Sequence, residues 1–278
     1  MTSNYDKSSM DKEKYCYSIG EQGQESLGIL EKSFNEQTEY FLKKHGVKSG
    51  MKVLDIGCGL GYMTQAIANL VGDDGHVVAI DNSDNQVKAA ENRTPDNLKK
   101  IIEYRAHDIY DLDKLNQSFD VVYCRFVLHH VQKPRHALEQ IEKTLKPGGL
   151  YIGIEGIINY AYSYPEHSAW QPPNLPYEVA EGDDRNGNLG KMLPSLIKQA
   201  GMECIEASIF QPFLIKDDVR QLLLNNECLD SKEHQISNGH MTEQEWEAKY
   251  KSLKTCVDDS NTLIAFHAGN FTASRKAE

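Results

Sequence analysis

A glycine-rich turn between an apolar run and an amphipathic segment is the feature that most constrains how this sequence folds. It lies in the stretch MKVLDIGCGLGYM, where Lys52–Ile56 predicts a buried strand and Thr64–Val71 predicts a helix. Three glycines separate these segments, at Gly57, Gly59 and Gly61. Glycine permits a positive φ and carries no Cβ, and the first turn of a helix offers unpaired N–H groups. The stretch therefore predicts a close approach between the backbone and a bound ligand.

Downstream of this turn, predicted strands alternate with predicted helices. The strands are Lys52–Ile56, His76–Asp81, Ile101–Ala106, Phe119–Cys124, Leu150–Glu155, Glu203–Phe210 and Thr262–Ala268. The helices are Thr64–Val71, Ser83–Asn92, Lys133–Leu145, Leu189–Ala200, Lys216–Leu229 and Thr242–Val257. This alternation is typical of βαβ units with right-handed crossovers. The sequence therefore predicts an α/β fold with a mostly parallel seven-stranded sheet and helices on both faces.

The composition excludes several classes of protein. The 278 residues carry a formal net charge of −11, whereas a protein that binds nucleic acid mainly through its phosphates needs a basic surface. The six cysteines form no C-x-x-C pair, so we expect neither a metal site nor a disulfide framework. No window approaches the ~18 apolar residues of a membrane-spanning helix. We therefore expect a cytoplasmic protein that binds neither nucleic acid nor membrane; its oligomeric state is left open.

The segments outside the strand–helix alternation divide the chain into regions. Residues 1–45 are predicted to form a polar tail and a helical lid, and residues 46–278 the main domain. Two insertions, 156–187 and 211–257, are expected to face the substrate. The first holds four prolines, Trp170 and several tyrosines, which suits a flat or cationic small molecule. Two alternatives stay open: the N-terminal helix covers only a sheet edge, or the aromatic residues only pack the insertion onto the sheet.

The spacing of residues around the glycines distinguishes NAD from a nucleoside ligand that carries an ammonium group. Asp81 lies twenty positions after Gly61, at the end of the second strand, where an acid can bind both hydroxyls of a ribose. The NAD fingerprint G-x-G-x-x-G would place its third glycine at position 62, which is Tyr62. Asp55 directly precedes the glycines and would repel a pyrophosphate, but it suits a ligand with an ammonium group.

Five motifs resemble those of class I S-adenosylmethionine-dependent methyltransferases. They are VLDIGCGLGYMT, VVAIDNS, RAHDIYDL, FDVVYCRFVLHHV and LKPGGLYIG, in the order and spacing of that family over roughly residues 45–155. A looser match, over Gly182-Asp183-Asp184, Gly190–Pro194 and Ala200-Gly201, resembles small-molecule methyltransferases similar to those of ubiquinone and menaquinone biosynthesis. The resemblance implies a Rossmann-like fold and S-adenosylmethionine as the cofactor.

The resemblance also implies roles for individual residues. The backbone at Gly57, Cys58 and Gly59 would lie against the methionine part of the cofactor, with Asp55 near its ammonium group. Asp81 would bind the ribose. The full implied set is Tyr17, Asp55, Gly57, Cys58, Gly59, Gly61, Asp81, Asn82, Gln86, His107, Asp108, Ile109 and Arg125.

Within that set, Asn82 would flank the adenine, Asp108 would accept from its amino group, and the N–H of Ile109 would reach a ring nitrogen. Arg125 would lie near the methionine end, although an exposed surface arginine is an equal alternative. Cys58 is interpreted as a small space-filling residue, since nothing near it in sequence would activate a nucleophile.

Two histidines follow the fourth predicted strand, where substrates approach in this kind of fold. His129 is the candidate catalytic residue, as a base that removes a proton from an acceptor hydroxyl. The alternative is a structural role for His129 and His130 at the start of a helix.

The sequence thus predicts an enzyme that transfers the methyl group of S-adenosylmethionine to a small molecule and releases S-adenosylhomocysteine. A protein or RNA acceptor and a catalytically silent S-adenosylmethionine-binding protein are the alternatives, and an NAD-dependent dehydrogenase fits less well. The acceptor itself is not specified by these motifs.

Overall fold

The computed structural model describes residues 21–167, 170, 186–229, 232–237, 239 and 241–278. Tyr17, Asp183 and Asp184, together with most of the 168–185 part of the predicted insertion, lie outside the described residues. Within the described ranges, none of the helices is both long and apolar enough to cross a membrane.

The described helices and strands largely follow the predicted order. The strands are β1 Lys52–Ile56, β2 His76–Asp81, β3 Ile102–Ala106, β4 Phe119–Arg125, β5 Leu145–Ile157, β6 Tyr162–Tyr164, β7 Glu203–Phe210, β8 Leu263–Ala265 and β9 Ala268–Arg275. The helices are α1 Glu21–Lys44, α2 Tyr62–Val71, α3 Asp84–Arg93, α4 Pro134–Thr144, α5 Leu193–Gln199, α6 Asp217–Leu224, α7 Lys232–Ser237 and α8 Glu243–Asp258. Short 3-10 turns occur at Ile109–Leu115, Leu128–His130, Ile158–Tyr160 and Leu189–Lys191, and a π turn at Asn225–Leu229.

The main sheet has the strand order β3-β2-β1-β4-β5-β9-β7. β3, β2, β1, β4 and β5 are parallel neighbours, and β9 runs antiparallel to both β5 and β7. The predicted α/β class and mostly parallel seven-stranded sheet are therefore confirmed. Chain order reverses between β1 and β4, and in open α/β sheets the crevice at such a switch point, beyond the carboxyl ends of the strands, is where ligands bind.

The prediction for the last strand is wrong. Thr262–Ala268 was expected to complete the main sheet, but Leu263–Ala265 pairs with β6 in a separate two-stranded sheet. The strand between β5 and β7 is instead β9, whose sequence AGNFTASR reads as polar. Its Thr272 and Ser274 are fully buried, and the Thr272 hydroxyl donates to Asn270 Oδ1 at 2.6 Å. β9 contributes Phe271 to the core, and its polar residues are buried as well because it pairs with a strand on each side.

Alternate residues of the central strands pack on opposite faces of the sheet. Leu54, Ile56, Val78 and Val122 pack with residues of α4 and α5 on one face. The neighbouring positions of the same strands pack with residues of α1, α2, α6 and α8 on the other face. This two-sided burial explains why the strands read as nearly continuous apolar runs.

The helix α8 begins with a complete capping box. Thr242 Oγ1 accepts from the Glu245 N–H at 3.2 Å, and Glu245 Oε2 accepts from the Thr242 N–H at 2.8 Å. We expect Thr242→Ala to lower the free energy of unfolding by about 1 kcal/mol, since an N-cap partner is lost. Chemical denaturation measures the change. Thr255→Ala, on the exposed part of the same helix, is the control and should stay within about 0.5 kcal/mol of the wild type; equal losses in both variants would contradict the capping role.

Candidate active site

A cavity of about 490 Å³ lies beyond the carboxyl ends of β1, β2 and β4. The glycine turn after β1 forms one wall, and α1 contributes Ile29, Leu30 and Glu31. Residues that follow β4 and β5 also line it, together with Trp170, Phe266 and His267. The cavity is therefore located at the switch point of the sheet, where the strand order predicts a ligand site.

The glycine turn is held in place from the neighbouring strand. The N–H groups of Gly57 and Cys58 both donate to the carbonyl of Ile80, at 2.8 and 3.0 Å. Gly57 has φ +71°, and a Cβ on it would lie 2.2 Å from Val127 Cγ2. Only glycine fits this position, because a side chain would face both an unfavourable φ and an occupied space.

The thiol of Cys58 does not have the character of a nucleophile. Burial raises the pKa of Cys58 well above its usual value, and the nearby carboxylates Asp55 and Asp81 raise it further. A reactive cysteine needs a lowered pKa. The interpretation of Cys58 as a space-filling residue is consistent with this environment.

Two buried carboxyl groups lie at the glycine end of the cavity. Asp55 is 2% exposed and accepts from the Thr64 hydroxyl at 2.6 Å. Asp81 is 4% exposed and accepts from the Gly59 N–H at 3.0 Å and the Ser83 N–H at 2.9 Å, one on each oxygen. Each carboxyl group also lines the cavity, so both can bind a cationic or hydroxyl-bearing ligand.

The carboxyl group of Asp55 gives the protein a specific pH dependence. Burial raises the pKa of Asp55 from 3.8 to about 6, against smaller opposing effects of the Thr64 hydroxyl and the Arg125 charge. Between these two pKa values the folded chain holds a proton that the unfolded chain has released, so stability falls as pH rises across this interval. Above this pH interval, the raised pKa lowers the free energy of unfolding by up to about 3 kcal/mol.

We expect Asp55→Asn to remove this dependence in the ligand-free protein. The measurement is urea unfolding of both proteins at a series of pH values. The wild-type free energy of unfolding minus that of the variant should decrease from pH 4 to pH 6 and then level off, as the pKa of about 6 requires. The difference cancels the opposite contributions of His130 and His267, whose pKa values are lowered by burial. A difference that is flat with pH would contradict the assignment.

The cavity brings together part of the predicted cofactor-binding set. The members that line it are Asp55, Gly57, Cys58, Gly59, Asp81, Gln86 and Arg125, and the catalytic candidate His129 lines it as well. Gly61 is the N-cap of α2. The remaining described members are at the ends of β2 and β3, outside the cavity lining: Asn82, His107, Asp108 and Ile109.

These remaining members form a neighbouring group beside Asp81. The His107 N–H donates to the Asp81 carbonyl at 2.9 Å, because β2 and β3 are parallel and end together. Asp108 caps a 3-10 turn by accepting from the Tyr110 N–H at 2.9 Å, and Ile109 is buried. The adenine contacts of this group stay predictions.

Arg125 connects the end of β4 to α1. Its Nη1 donates to Asn35 Oδ1 at 2.9 Å and to Thr38 Oγ1 at 3.3 Å. The side chain is half-buried and lines the cavity. The alternative, an exposed surface arginine, is therefore wrong. Arg125 holds α1 over the carboxyl end of the sheet.

His129 lies in the turn after β4 and has a partner that the sequence did not reveal. Its Nδ1 is 2.7 Å from Glu155 Oε2. Glu155 lies near the end of β5 and is completely buried. In the sequence, Glu155 is a single acidic residue inside the apolar run YIGIEGII. His129 is 26 residues away from it, so sequence alone could not pair the two side chains.

Aromatic residues form a further part of the cavity lining. Trp170 and Phe266 are stacked, with ring centroids 6.2 Å apart, and the Trp170 indole N–H donates to the Ala265 carbonyl at 3.0 Å. Phe126 and His267 contact at right angles, at 5.6 Å. Trp170 was singled out from the sequence. Phe266 and His267 were missed because their segment was interpreted as a sheet strand.

Residues 47–195 match a sequence family described as "Methyltransferase domain". This chain belongs to that methyltransferase family. The match spans more than half of the sequence and includes the glycine turn, Asp81 and His129. It confirms the predicted membership of the class I S-adenosylmethionine-dependent methyltransferases, with S-adenosylmethionine as the cofactor.

Known methyltransferases share part of this chain. A demethylmenaquinone methyltransferase of Staphylococcus aureus is 35% identical over 116 residues, which are 41% of this chain and 46% of that protein. A sterol 24-C-methyltransferase of Yarrowia lipolytica is 29% identical over 183 residues, which are 64% of this chain and 45% of that protein. The chain spans about half the length of the curated relatives it matches.

A solved structure shows the same fold. The phosphoethanolamine N-methyltransferase 2 of Haemonchus contortus, in complex with phosphomonomethylethanolamine and S-adenosylhomocysteine, superposes with a TM-score of 0.57 at 19% identity. The likeness covers 96% of this chain and 60% of that one. The Rossmann-like fold of this methyltransferase is thereby confirmed.

The residues of this methyltransferase suit its cofactor. The glycine end of the cavity presents two buried carboxyl groups, Asp55 and Asp81. Asp81 is complementary to a ribose diol, which S-adenosylmethionine and dinucleotides share. Asp55 would repel a pyrophosphate but is complementary to an ammonium group. Asp55 therefore favours S-adenosylmethionine over a dinucleotide.

Proposed function

We propose that this protein transfers the methyl group of S-adenosylmethionine to a small-molecule acceptor. The observation that supports this most is the composition of one cavity. Asp55 and Asp81 line it at the glycine turn, and the aromatic residues Trp170, Phe266 and His267 line it as well. A cofactor held at the glycine turn would leave the aromatic residues for an acceptor.

The protein's part in the reaction is to bind, orient and exclude water. S-adenosylmethionine, when bound, supplies a methyl carbon activated by a positively charged sulfur. Asp55 would bind the ammonium group of the cofactor and Asp81 its ribose, and the tight turn at Gly57 lets the backbone approach it. Holding an acceptor close and in line is worth several kcal/mol in a displacement of this type.

In this proposal the helix α1 is the lid of the cavity. It supplies Ile29, Leu30 and Glu31 to the cavity wall, and Asn35 and Thr38 bind Arg125. A helix in this position would cover bound ligands and keep water from the methyl group. The predicted lid over residues 1–45 is supported for this described part of the helix.

The size and character of the cavity favour a small acceptor over a macromolecule. A volume of about 490 Å³ lies in the usual range for small-molecule sites, and their walls are mostly apolar with a few polar groups. The net charge of −11 is unfavourable for an RNA acceptor. The S. aureus and Y. lipolytica relatives, by their names, act on a quinone precursor and a sterol, which agrees with a small organic acceptor here.

The fate of a labelled methyl group tests this proposal. The protein is incubated with methyl-tritiated S-adenosylmethionine and an extract of its source cells that has been separated into small-molecule, protein and RNA fractions. We expect enzyme-dependent label in the small-molecule fraction. Label confined to the protein or RNA fraction would contradict a small acceptor, and no transfer to any fraction would contradict methyl transfer.

A further inference from the structure

We infer that Glu155 is a positioning residue that fixes His129 as a general base, and that the acceptor is therefore a hydroxyl compound. This inference rests on the proposed methyl transfer and specifies the chemical class of its acceptor. It is carried by the contacts among Glu155, His129 and the turn that follows β4.

Three nitrogen atoms lie within hydrogen-bond distance of the buried carboxyl group of Glu155. Its Oε1 accepts from the Val127 N–H at 3.0 Å and the Leu128 N–H at 2.7 Å. Its Oε2 is 2.7 Å from His129 Nδ1. As a carboxylate, Glu155 can only accept hydrogen bonds. Nδ1 of His129 therefore carries a proton, and the lone pair of the neutral ring is on Nε2.

The free nitrogen of His129 is available to a ligand. The His129 side chain is 17% exposed and lines the cavity. Within the described part of the chain, Nδ1 has a hydrogen-bond partner and Nε2 has none. A ring held at Nδ1 by a carboxylate, with Nε2 open to a cavity, has the arrangement that general bases use.

The backbone beside His129 is strained, and Glu155 holds it. Phe126 has φ +55°, a left-handed conformation that costs a residue with a Cβ roughly 1–2 kcal/mol. The next two N–H groups, of Val127 and Leu128, are the ones that bind Glu155. Strain of this kind persists where the surroundings over-determine a conformation, commonly at functional sites.

The neighbouring histidines are poorer candidates for the base. The His130 ring lies 3.9 Å from the His129 ring, and burial lowers the pKa of His130 to about 3. Burial lowers the pKa of His267 to about 4. Both are weak proton acceptors, and it is the His129 ring that contacts the Glu155 carboxyl group, at 2.7 Å.

A base narrows the class of acceptor because methyl acceptors differ in whether they must lose a proton before they attack. A neutral amine or a thiolate attacks with an available electron pair, whereas a hydroxyl must lose its proton. The acceptor oxygen forms a bond to the methyl carbon as the carbon–sulfur bond breaks, and that electron pair stays on sulfur. The hydroxyl proton moves to Nε2 of His129, so the products are a methyl ether, S-adenosylhomocysteine and an imidazolium paired with Glu155.

Imidazole nitrogen NMR of the whole protein tests the positioning role without an acceptor. The ¹⁵N signals of His129, assigned by their absence in His129→Gln, should show the Nδ1–H tautomer at a pH where the ring is neutral. Glu155→Gln presents an amide of the same shape whose NH₂ can donate to Nδ1, so the ring should change to the Nε2–H form. A wild-type ring in the Nε2–H form, or a tautomer unchanged in Glu155→Gln, would overturn the inference.

Glu139→Gln is the matched control. Glu139 also pairs with a histidine, His136, at 3.3 Å, but this pair is exposed on α4. The control should leave both the His129 tautomer and methyl transfer unchanged. If Glu155→Gln does not fold, the wild-type tautomer still decides the inference.

The linkage of the transferred methyl group tests the acceptor class. With ¹³C-methyl S-adenosylmethionine and the small-molecule fraction of the extract, the product methyl signal should be that of an O-methyl group. The transfer rate in Glu155→Gln should fall at least about a hundredfold, the usual contribution of a general base, with S-adenosylmethionine affinity unchanged. An N-, S- or C-methyl product would overturn the inference while leaving methyl transfer intact, whereas the absence of any product would count against the proposed function itself.

Discussion

Asp81→Ala is expected to weaken S-adenosylmethionine binding by roughly 10²–10⁴-fold. Each Asp81 oxygen accepts one backbone N–H, from Gly59 or Ser83, and keeps the capacity to accept from one ribose hydroxyl. A hydrogen bond to a charged group is worth about 1.5–3 kcal/mol, so the loss of two corresponds to about 3–6 kcal/mol of binding free energy.

Calorimetric titration with S-adenosylmethionine measures this change. Asp73→Ala is the control, because Asp73 is an exposed acid that pairs with Lys100 on the surface, at 3.1 Å, and its loss should leave the affinity unchanged. Denaturation curves of both variants show whether the fold is retained. Wild-type affinity in a folded Asp81→Ala protein would contradict the ribose-binding role.

Gly57→Ala is expected to lower the free energy of unfolding by roughly 2–5 kcal/mol. The new Cβ would lie 2.2 Å from Val127 Cγ2, and overpacking of this kind costs about 1–3 kcal/mol. The φ of +71° adds roughly 1–2 kcal/mol for any residue with a Cβ. Urea unfolding of the variant measures the sum.

Two further variants separate these causes. Gly46 has φ +86° with nothing within 4 Å of an added Cβ, so Gly46→Ala should show only the smaller backbone cost. Adding Val127→Ala to Gly57→Ala should recover the overpacking part, since the clash is with that side chain. Equal losses at both glycines, or no recovery in the double variant, would contradict the close packing of the turn against Val127.

Much of the fold could be predicted because local signals agreed with the final structure. The strands β1 and β2 are short apolar runs at the centre of the sheet, and their predicted bounds match those observed. The α8 capping box, Thr242 with Glu245, also forms as its sequence indicates. In these segments local propensity and tertiary packing favour the same conformation.

The strand β9 could not be predicted because its burial comes from its neighbours. Asn270, Thr272 and Ser274 are polar but buried, since β5 and β7 pair with both edges of the strand. These polar residues alternate with Phe271 and Ala273, but Phe271 is the one large apolar side chain of the strand, so the alternation is a weak signal. The stretch before it, TLIAFHA, is more apolar and by its sequence predicts the last strand.

Part of the candidate site could be predicted from local sequence, and part could not. The glycine turn and Asp81 follow from local spacing, because each belongs to a strand end and the loop directly after it. The pairing of Glu155 with His129 joins the ends of two different strands, β5 and β4, and the contribution of Phe266 depends on the separate sheet of β6 and β8. Such long-range contacts have no local pattern, so they required the structure.

Direct titration of the purified protein with S-adenosylmethionine most directly tests the central claim, which is that the cavity at the glycine turn binds this cofactor. S-adenosylhomocysteine and NADH serve as comparison ligands in the same calorimeter. Asp55 and Asp81 at the glycine turn predict saturable binding of S-adenosylmethionine and S-adenosylhomocysteine. Asp55, which would repel a pyrophosphate, predicts no binding of NADH. The absence of S-adenosylmethionine binding at high micromolar concentrations, or tighter binding of NADH, would contradict it.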